Sequence, residues 1–211
     1  QAGTADGIDN VGTGDIDAIR ADANLQLIER APLNVFYLGL NNTIAPFDNL
    51  NVRQAIAHAI DKQRIVDNFY PAGSQVATQF MPSAISSGYT PEVEPFPFDQ
   101  TKAAELLKTS GLELPLAIEL RYRDVVRGYL PNVAQVAEDL RSQLEAITVD
   151  GVQGFTVTVE VVESGTFIDN TDAGAYGMYL LGWGADYPDA TNFLDYHFGG
   201  GSSAQFGERI Q

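Results

Sequence analysis

The sequence predicts an α/β fold, a mixed, mostly parallel sheet flanked by helices. Three observations predict it. Between residues 116 and 181 the order reads strand, helix, strand, short helix, strand, and such units favour parallel pairing. Two stretches, residues 52–70 and 131–147, carry apolar side chains at a helical period. Apolar residues make up 45% of the 211-residue chain, the usual share for a packed core.

Each element has its local reason. Residues 14–18 suit a short strand or a helix entry. Residues 34–40, Asn-Val-Phe-Tyr-Leu-Gly-Leu, are β-branched and aromatic and predict a strand, punctuated by Asn41-Asn42. Val52, Ala55, Ile56, Ala59, Ile60, Val66 and Phe69 share a helical stripe, so one helix is expected over 52–70, capped by Asn51 and ended by Pro71. Residues 71–98 are punctuated by Pro and Gly without periodicity and predict a long surface excursion, a kind of loop that usually has a job. Asp99 caps a second helix over 100–109, which Gly111 stops. Residues 116–122 form a strand candidate. Val133, Val136, Ala137, Leu140, Leu144 and Ile147 line one face of a helix over 131–147, with Pro131 in its first turn. A turn at 149–154, a strand at 155–162, a short helix or turn near 166–170 and a buried strand at 176–181 complete the order.

Composition removes several classes of function. Lys and Arg number 12 against 28 Asp and Glu, for a formal charge of −16. That balance opposes binding to a phosphate backbone or an anionic membrane surface. It permits a cationic ligand. The chain has no cysteine, so disulfides, zinc–thiolate sites and cysteine nucleophiles are excluded. It begins Gln1-Ala2-Gly3 and stops soon after a Gly199-Gly200-Gly201 run, which reads as a fragment with a processed or excised start.

The most informative stretch is 182–193, Gly-Trp-Gly-Ala-Asp-Tyr-Pro-Asp-Ala-Thr-Asn-Phe, just past the last strand. Ligands of parallel sheets sit outside the carboxyl ends of the strands. Residues 121–127, with Arg121, Arg123 and Arg127, and residues 182–193 are expected on the same edge. Asp186 beside Trp183 can receive a cationic head, the carboxylate supplying charge and the indole an apolar wall. Tyr187 belongs near the mouth. The plainer reading is a polar turn with Trp183 anchoring the core. Asp189 suits a turn ahead of a helix begun by Asn192 and Phe193, with Phe193 in the core.

Other polar groups read as structural. Arg53 sits in the first turn of a helix, where the dipole disfavours a cation, so a partner carboxylate is expected. His58 and Asp61 are spaced to face each other on a helix and read as a surface hydrogen bond. His197 with Asp195 and Asp189 matches no zinc or calcium spacing. No nucleophile elbow or phosphate loop is present. Asp186 and Asp189 lie too close on one loop to flank a glycosidic bond. No catalytic residue, metal or cofactor is assigned.

Several blocks occur together in order. They are Gly14-Asp15-Ile16-Asp17, the strand at 34–40 with Asn41-Asn42, and Asn51-Val52-Arg53-Gln54-Ala55-Ile56-Ala57-His58-Ala59-Ile60-Asp61-Lys62. Met81-Pro82 with Gly88-Tyr89, Phe98-Asp99 through Leu106-Leu107 with Gly111, and the Trp183 to Phe193 segment follow. Together they resemble the family 5 extracellular solute-binding proteins of ABC importers, the peptide and nickel class. The resemblance implies a periplasmic-binding-protein-like type II lobe, with residues 1–211 a single α/β lobe of a longer two-lobed protein whose first lobe is missing. It implies a cleft that closes on di- or oligopeptides and delivers them to ABC permease subunits in the membrane. It implies an extracytoplasmic location, periplasmic or anchored at the cell surface as a lipoprotein, and a monomer. On this resemblance Asp186 takes the ligand's α-ammonium group and an arginine after the preceding strand, Arg123 with Arg121 and Arg127 as alternatives, meets the carboxylate of a dipeptide, with Trp183 and Tyr187 beside them. The family also has members for nickel chelates, oligosaccharides and haem, so a non-peptide solute on the same fold is the alternative.

Overall fold

Residues 13–21, rich in Gly and Asp at their start, form helix rather than strand. A 3₁₀ turn, Thr13–Asp15, runs into α1, Ile16–Ala21, none of whose residues is buried. The computed structural model describes residues 6–8 and 11–199. The chain divides into two units, Gln1–Pro32 and Leu33–Gln211. In the first, Arg20 Nη2 pairs with Glu29 Oε1 at 2.5 Å, holding α1 to the chain that follows it.

The second unit carries the sheet. Strand β1, Asn34–Leu40, spans the residues expected. The expected helix over 52–70 is two helices, α2, Leu50–Ala59, and α3, Lys62–Phe69. Ile60 and Asp61 are extended between them. The break has a physical cause. The Asp61 backbone N–H donates to Gln143 Oε1 at 2.6 Å, and the Asp61 carboxylate accepts from the Arg64 N–H at 3.0 Å, capping α3. A cap and a distant amide together outweigh the local propensity to continue. The cap of α2 is likewise Asn49, not Asn51, whose own N–H donates to Asn49 Oδ1. Arg53 meets no carboxylate among the described residues. Its Nη1 donates to the carbonyls of Phe47 and Asp48 at 2.6 and 3.1 Å, so backbone dipoles replace the expected anion.

Residues 71–98 form no helix or strand, as their prolines predict. Helix α4, Gln100–Thr109, starts on an Asp99 cap to the Lys102 N–H. Gly111, with φ +75°, follows its end, a backbone that glycine adopts without cost. His58 does not meet Asp61. Its Nδ1 lies 2.9 Å from the Pro97 carbonyl, while Lys62 Nζ donates to the Phe96 carbonyl. Both groups strap the segment before α4 to the α2–α3 corner. Strand β2, Leu116–Arg123, leads to α5, Val133–Glu145. The expected turn at 149–154 is a small hairpin, β3, Thr148–Val149, with β4, Val152–Gln153. Asp150 and Gly151 form its loop, both with positive φ, as a two-residue hairpin connection requires. Strand β5, Phe155–Val162, helix α6, Ser164–Asp172, strand β6, Met178–Gly184, a 3₁₀ turn at Ala190–Asn192 and helix α7, Leu194–Phe198, finish the described chain.

The four long strands lie in the order β1-β6-β2-β5. Strand β2 is parallel to both β5 and β6, and β1 is antiparallel to β6. The sheet is thus mixed and mostly parallel. Alternation sorts its two faces. Leu116, Ile118, Leu120, Phe155, Val157, Met178 and Leu180 face the main core with α2, α4 and α5. Tyr179 and Leu181 face the opposite way, against Phe167 of α6 and Tyr176. Helices α5 and α6 therefore cover opposite faces, and the carboxyl ends of β2 and β6 open side by side. No helix among the described residues is long and apolar enough to cross a membrane.

Candidate functional site

Strand β6 delivers the site. Its first residues, Met178 to Gly182, are buried, Trp183 is half-buried and Gly184 is exposed. The strand reaches further than its glycines suggest. Gly182 and Gly184 pair with Phe36 and Asn34 of β1, so the loop starts at Ala185 rather than at Gly182. The Tyr129 ring and the Val35 carbonyl fill the space a side chain at 182 would need. Glycine within a strand marks this kind of close approach.

The loop from Ala185 to Phe193 is held at several points. The Ala185 N–H donates to the Leu33 carbonyl at 2.7 Å. Asp189 accepts from the Thr191 N–H and hydroxyl at 2.9 and 2.7 Å, which caps the 3₁₀ turn and holds its carboxyl below the usual range. This matches the turn-forming role expected of it. Phe193 is fully buried, as expected, in a small core with Val35, Met81 and Ile85. Trp183, Ala185 and Ala190 pack on that core, as do Phe80 and Tyr89. The long excursion 71–98 therefore supplies the underside of the loop. Asn192, expected to begin a helix, closes the 3₁₀ turn instead. Its Oδ1 accepts from both Trp183 Nε1 and the Asp186 N–H, each at 3.0 Å.

The Asp186 side chain is exposed and makes no ion pair among the described residues. Trp183 stacks on Tyr196 with centroids 4.5 Å apart and meets the edge of His197 at 4.9 Å. Tyr187 is exposed, its hydroxyl 3.4 Å from Thr191 Oγ1. His197 is fully buried, its Nδ1 2.8 Å from the Phe193 carbonyl, and burial lowers its pKa from the ordinary 6.5. His197, Asp195 and Asp189 do not converge. No group of three metal-ligating side chains exists among the described residues.

The three candidate arginines separate clearly. Arg121 is neutralised by Glu119 and Glu160 and lies 4.8 Å over the Tyr176 ring. Arg127 joins a backbone bridge to Leu130. Arg123 donates to Ser164 Oγ at 3.1 Å and to Tyr129 Oη at 3.2 Å, both neutral acceptors. It has no carboxylate partner among the described residues. Tyr129 rests on β6 at Gly182, so one aromatic ring ties Arg123 to β6 next to Trp183. Asp186 and Tyr187 thus share the loop that follows Trp183 at the end of β6, and Arg123 stands at the end of the neighbouring strand. Tyr129, Ser164, Tyr196 and Asn192 joined the site unforeseen, since nothing local marks a residue that touches another strand.

The chain matches, over residues 1–205, the family described as bacterial extracellular solute-binding proteins, family 5 middle. Di/tripeptide-binding protein 1 of Pseudomonas aeruginosa is 35% identical over 185 residues, 88% of this chain and 33% of the relative. Heme-binding protein A of Haemophilus influenzae is 32% identical over 194 residues, 92% of this chain and 34% of the relative. The crystal structure of a dipeptide-binding protein from Pseudoalteromonas sp. SM9913, in complex with Met-Leu, superposes with a TM-score of 0.78 at 29% identity. It covers 92% of this chain and 38% of that one. The chain spans about a third of the length of the curated relatives it matches.

Proposed function

Because this chain belongs to the family 5 bacterial extracellular solute-binding proteins, we propose that it is one wall of a peptide-binding cleft in an ABC importer's substrate-binding component. The observation that carries this reading is the Asp186 carboxylate, exposed and without an ion pair among the described residues, on a loop whose backbone is tied down. Such a group receives the α-ammonium of a peptide. In a closed cleft that charge-assisted bond is worth about 1.5–3 kcal/mol. Trp183 and Tyr187 flank the ammonium, and Arg123 takes the carboxylate of a short peptide. Its lack of an acidic partner among the described residues supports it over the paired Arg121. The unit Leu33–Gln211 carries the α/β sheet of this wall, and the facing wall comes from the rest of a longer protein. Closure of the two walls favours the form that permease subunits recognise. The complete protein acts outside the cytoplasm, periplasmic or lipoprotein-anchored, as a monomer, and turns over no substrate.

The test is calorimetric titration of the complete protein with a dipeptide, a tetrapeptide and their N-acetyl forms. Free-amine peptides are expected to bind at least tenfold more tightly than the acetylated forms. Equal affinity overturns the assignment of Asp186. A second reading, a non-peptide solute such as haem, draws on the Haemophilus relative, whose identity is close to that of the peptide binder. Haem binding with no peptide binding would select it.

A further inference from the structure

Asn192 is 4% exposed, yet its side chain does more than fill space. One oxygen accepts from two donors that belong to different pieces of the loop. The Trp183 indole N–H comes from the end of β6, and the Asp186 backbone N–H comes from the loop's second residue. Both partners are donors only, so the amide oxygen, not the nitrogen, must face them. Asn192 itself is fixed on either side. The Asp189 cap and the Asn192 N–H to Asp189 carbonyl bond, 3.1 Å, set its turn, and fully buried Phe193 follows it. The oxygen is therefore a fixed point to which the exposed part of the loop is tied.

We infer that Asn192 is the positioning residue of the ligand-ammonium site, setting where the Asp186 carboxylate stands relative to the Trp183 indole. The inference rests on the reading of Asp186 given above. The Asp186 side chain has no anchor of its own among the described residues, so the region its carboxylate can reach is set by the backbone that carries it, and Asn192 holds that backbone. A second bond to the same oxygen, from Trp183 Nε1–H, holds the indole by its edge while its face meets Tyr196 at 25°. Without the acceptor, two part-buried donors lose their shared partner, and the tie between the loop and the end of β6 is gone. A carboxylate free to wander has to be ordered at each binding event, which lowers affinity for the group it recognises.

The experiment uses the complete protein and a dipeptide probe in free-amine and N-acetyl forms. The measured quantity is the ratio of the two affinities, with the thermal midpoint as a fold control. Asn192→Leu removes the acceptor at similar volume, Asn192→Ser withdraws it from both donors with less disturbance, and Asn192→Asp keeps it. The ratio is expected to fall about tenfold in Asn192→Leu, to fall by a smaller factor in Asn192→Ser, and to stay within about threefold in Asn192→Asp. A purely structural residue would weaken both peptide forms equally, and an unchanged ratio in Asn192→Leu overturns the inference. If Asn192→Leu does not fold, an unchanged ratio in Asn192→Ser overturns it. Asp186→Asn, run in parallel, separates the two claims. A ratio insensitive to Asp186→Asn sinks the ammonium site itself. A ratio sensitive to Asp186→Asn but not to either Asn192 variant sinks only the positioning role.

Discussion

Asp139 and Asp186 carry the same carboxylate in opposite circumstances. Asp139 lies on α5 with its side chain 7% exposed. Arg64 Nη2 donates to one of its oxygens and Gln143 Nε2 to the other, both at 2.6 Å. Gln143 in turn accepts from the Asp61 N–H, so the group closes a network that joins α5 to the α2–α3 break. Asp186 has its backbone held and its carboxylate left in solvent. The difference teaches where to look for function in an acidic chain. In a chain with many carboxylates, one that the fold positions without consuming is a candidate for the ligand contact proposed above.

The comparison can be broken in four ways. Asp139→Ala leaves a buried amide and a half-exposed guanidinium without their anion. It is expected to cost about 2–3 kcal/mol in urea unfolding, discounted because Arg64 keeps contact with water. Peptide affinity should not change, and a change would mean that the two acids are coupled. Asp186→Asn should do the reverse. Affinity for free-amine peptides should fall about 10- to 100-fold with the unfolding midpoint unmoved, as calorimetry on the complete protein would read. Asp61→Ala removes a cap and should cost about 1 kcal/mol, visible as a lower urea midpoint with native ligand affinity. The smallest effect concerns acid. Burial lowers the His197 pKa from 6.5, so the unfolded chain takes up a proton before the folded one does. Its contribution is complete above about pH 6.5 and declines as pH falls toward the folded value. Melting at pH 7.5 and 5.5 should show a drop for the native protein that is smaller in His197→Phe. An equal drop in both would assign the acid response to other groups.

A second contrast, between Arg121 and Arg123, shows the limit of reading the chain directly. Two residues apart on β2, they look interchangeable in sequence. Only the parallel neighbour β5 brings Glu160 to Arg121, while Tyr129 and Ser164 reach Arg123. Likewise, Gly182 and Gly184 read as loop punctuation. Pairing with β1 makes them strand, because an antiparallel neighbour satisfies their backbone groups. The fold class, the strands at 34–40 and 155–162 and the Asp99 cap were legible because side-chain period and capping chemistry are local. The identity of Asn192 as a shared acceptor was not legible, since its role depends on the distance to a strand end nine residues away.

By itself the sequence determined a mostly parallel α/β sheet, the absence of any thiol chemistry, and an acidic loop past the last strand with Phe193 anchored in the core. Those properties follow from composition, from alternation and from short-range hydrogen bonding. Tertiary structure alone decided the break between α2 and α3, the reach of β6 to Gly184, and the pairing of one arginine but not the other. Each of these turns on a hydrogen bond or ion pair between residues far apart in the chain, as Asp61 and Gln143 are. Such partners are chosen only when packing brings them within reach.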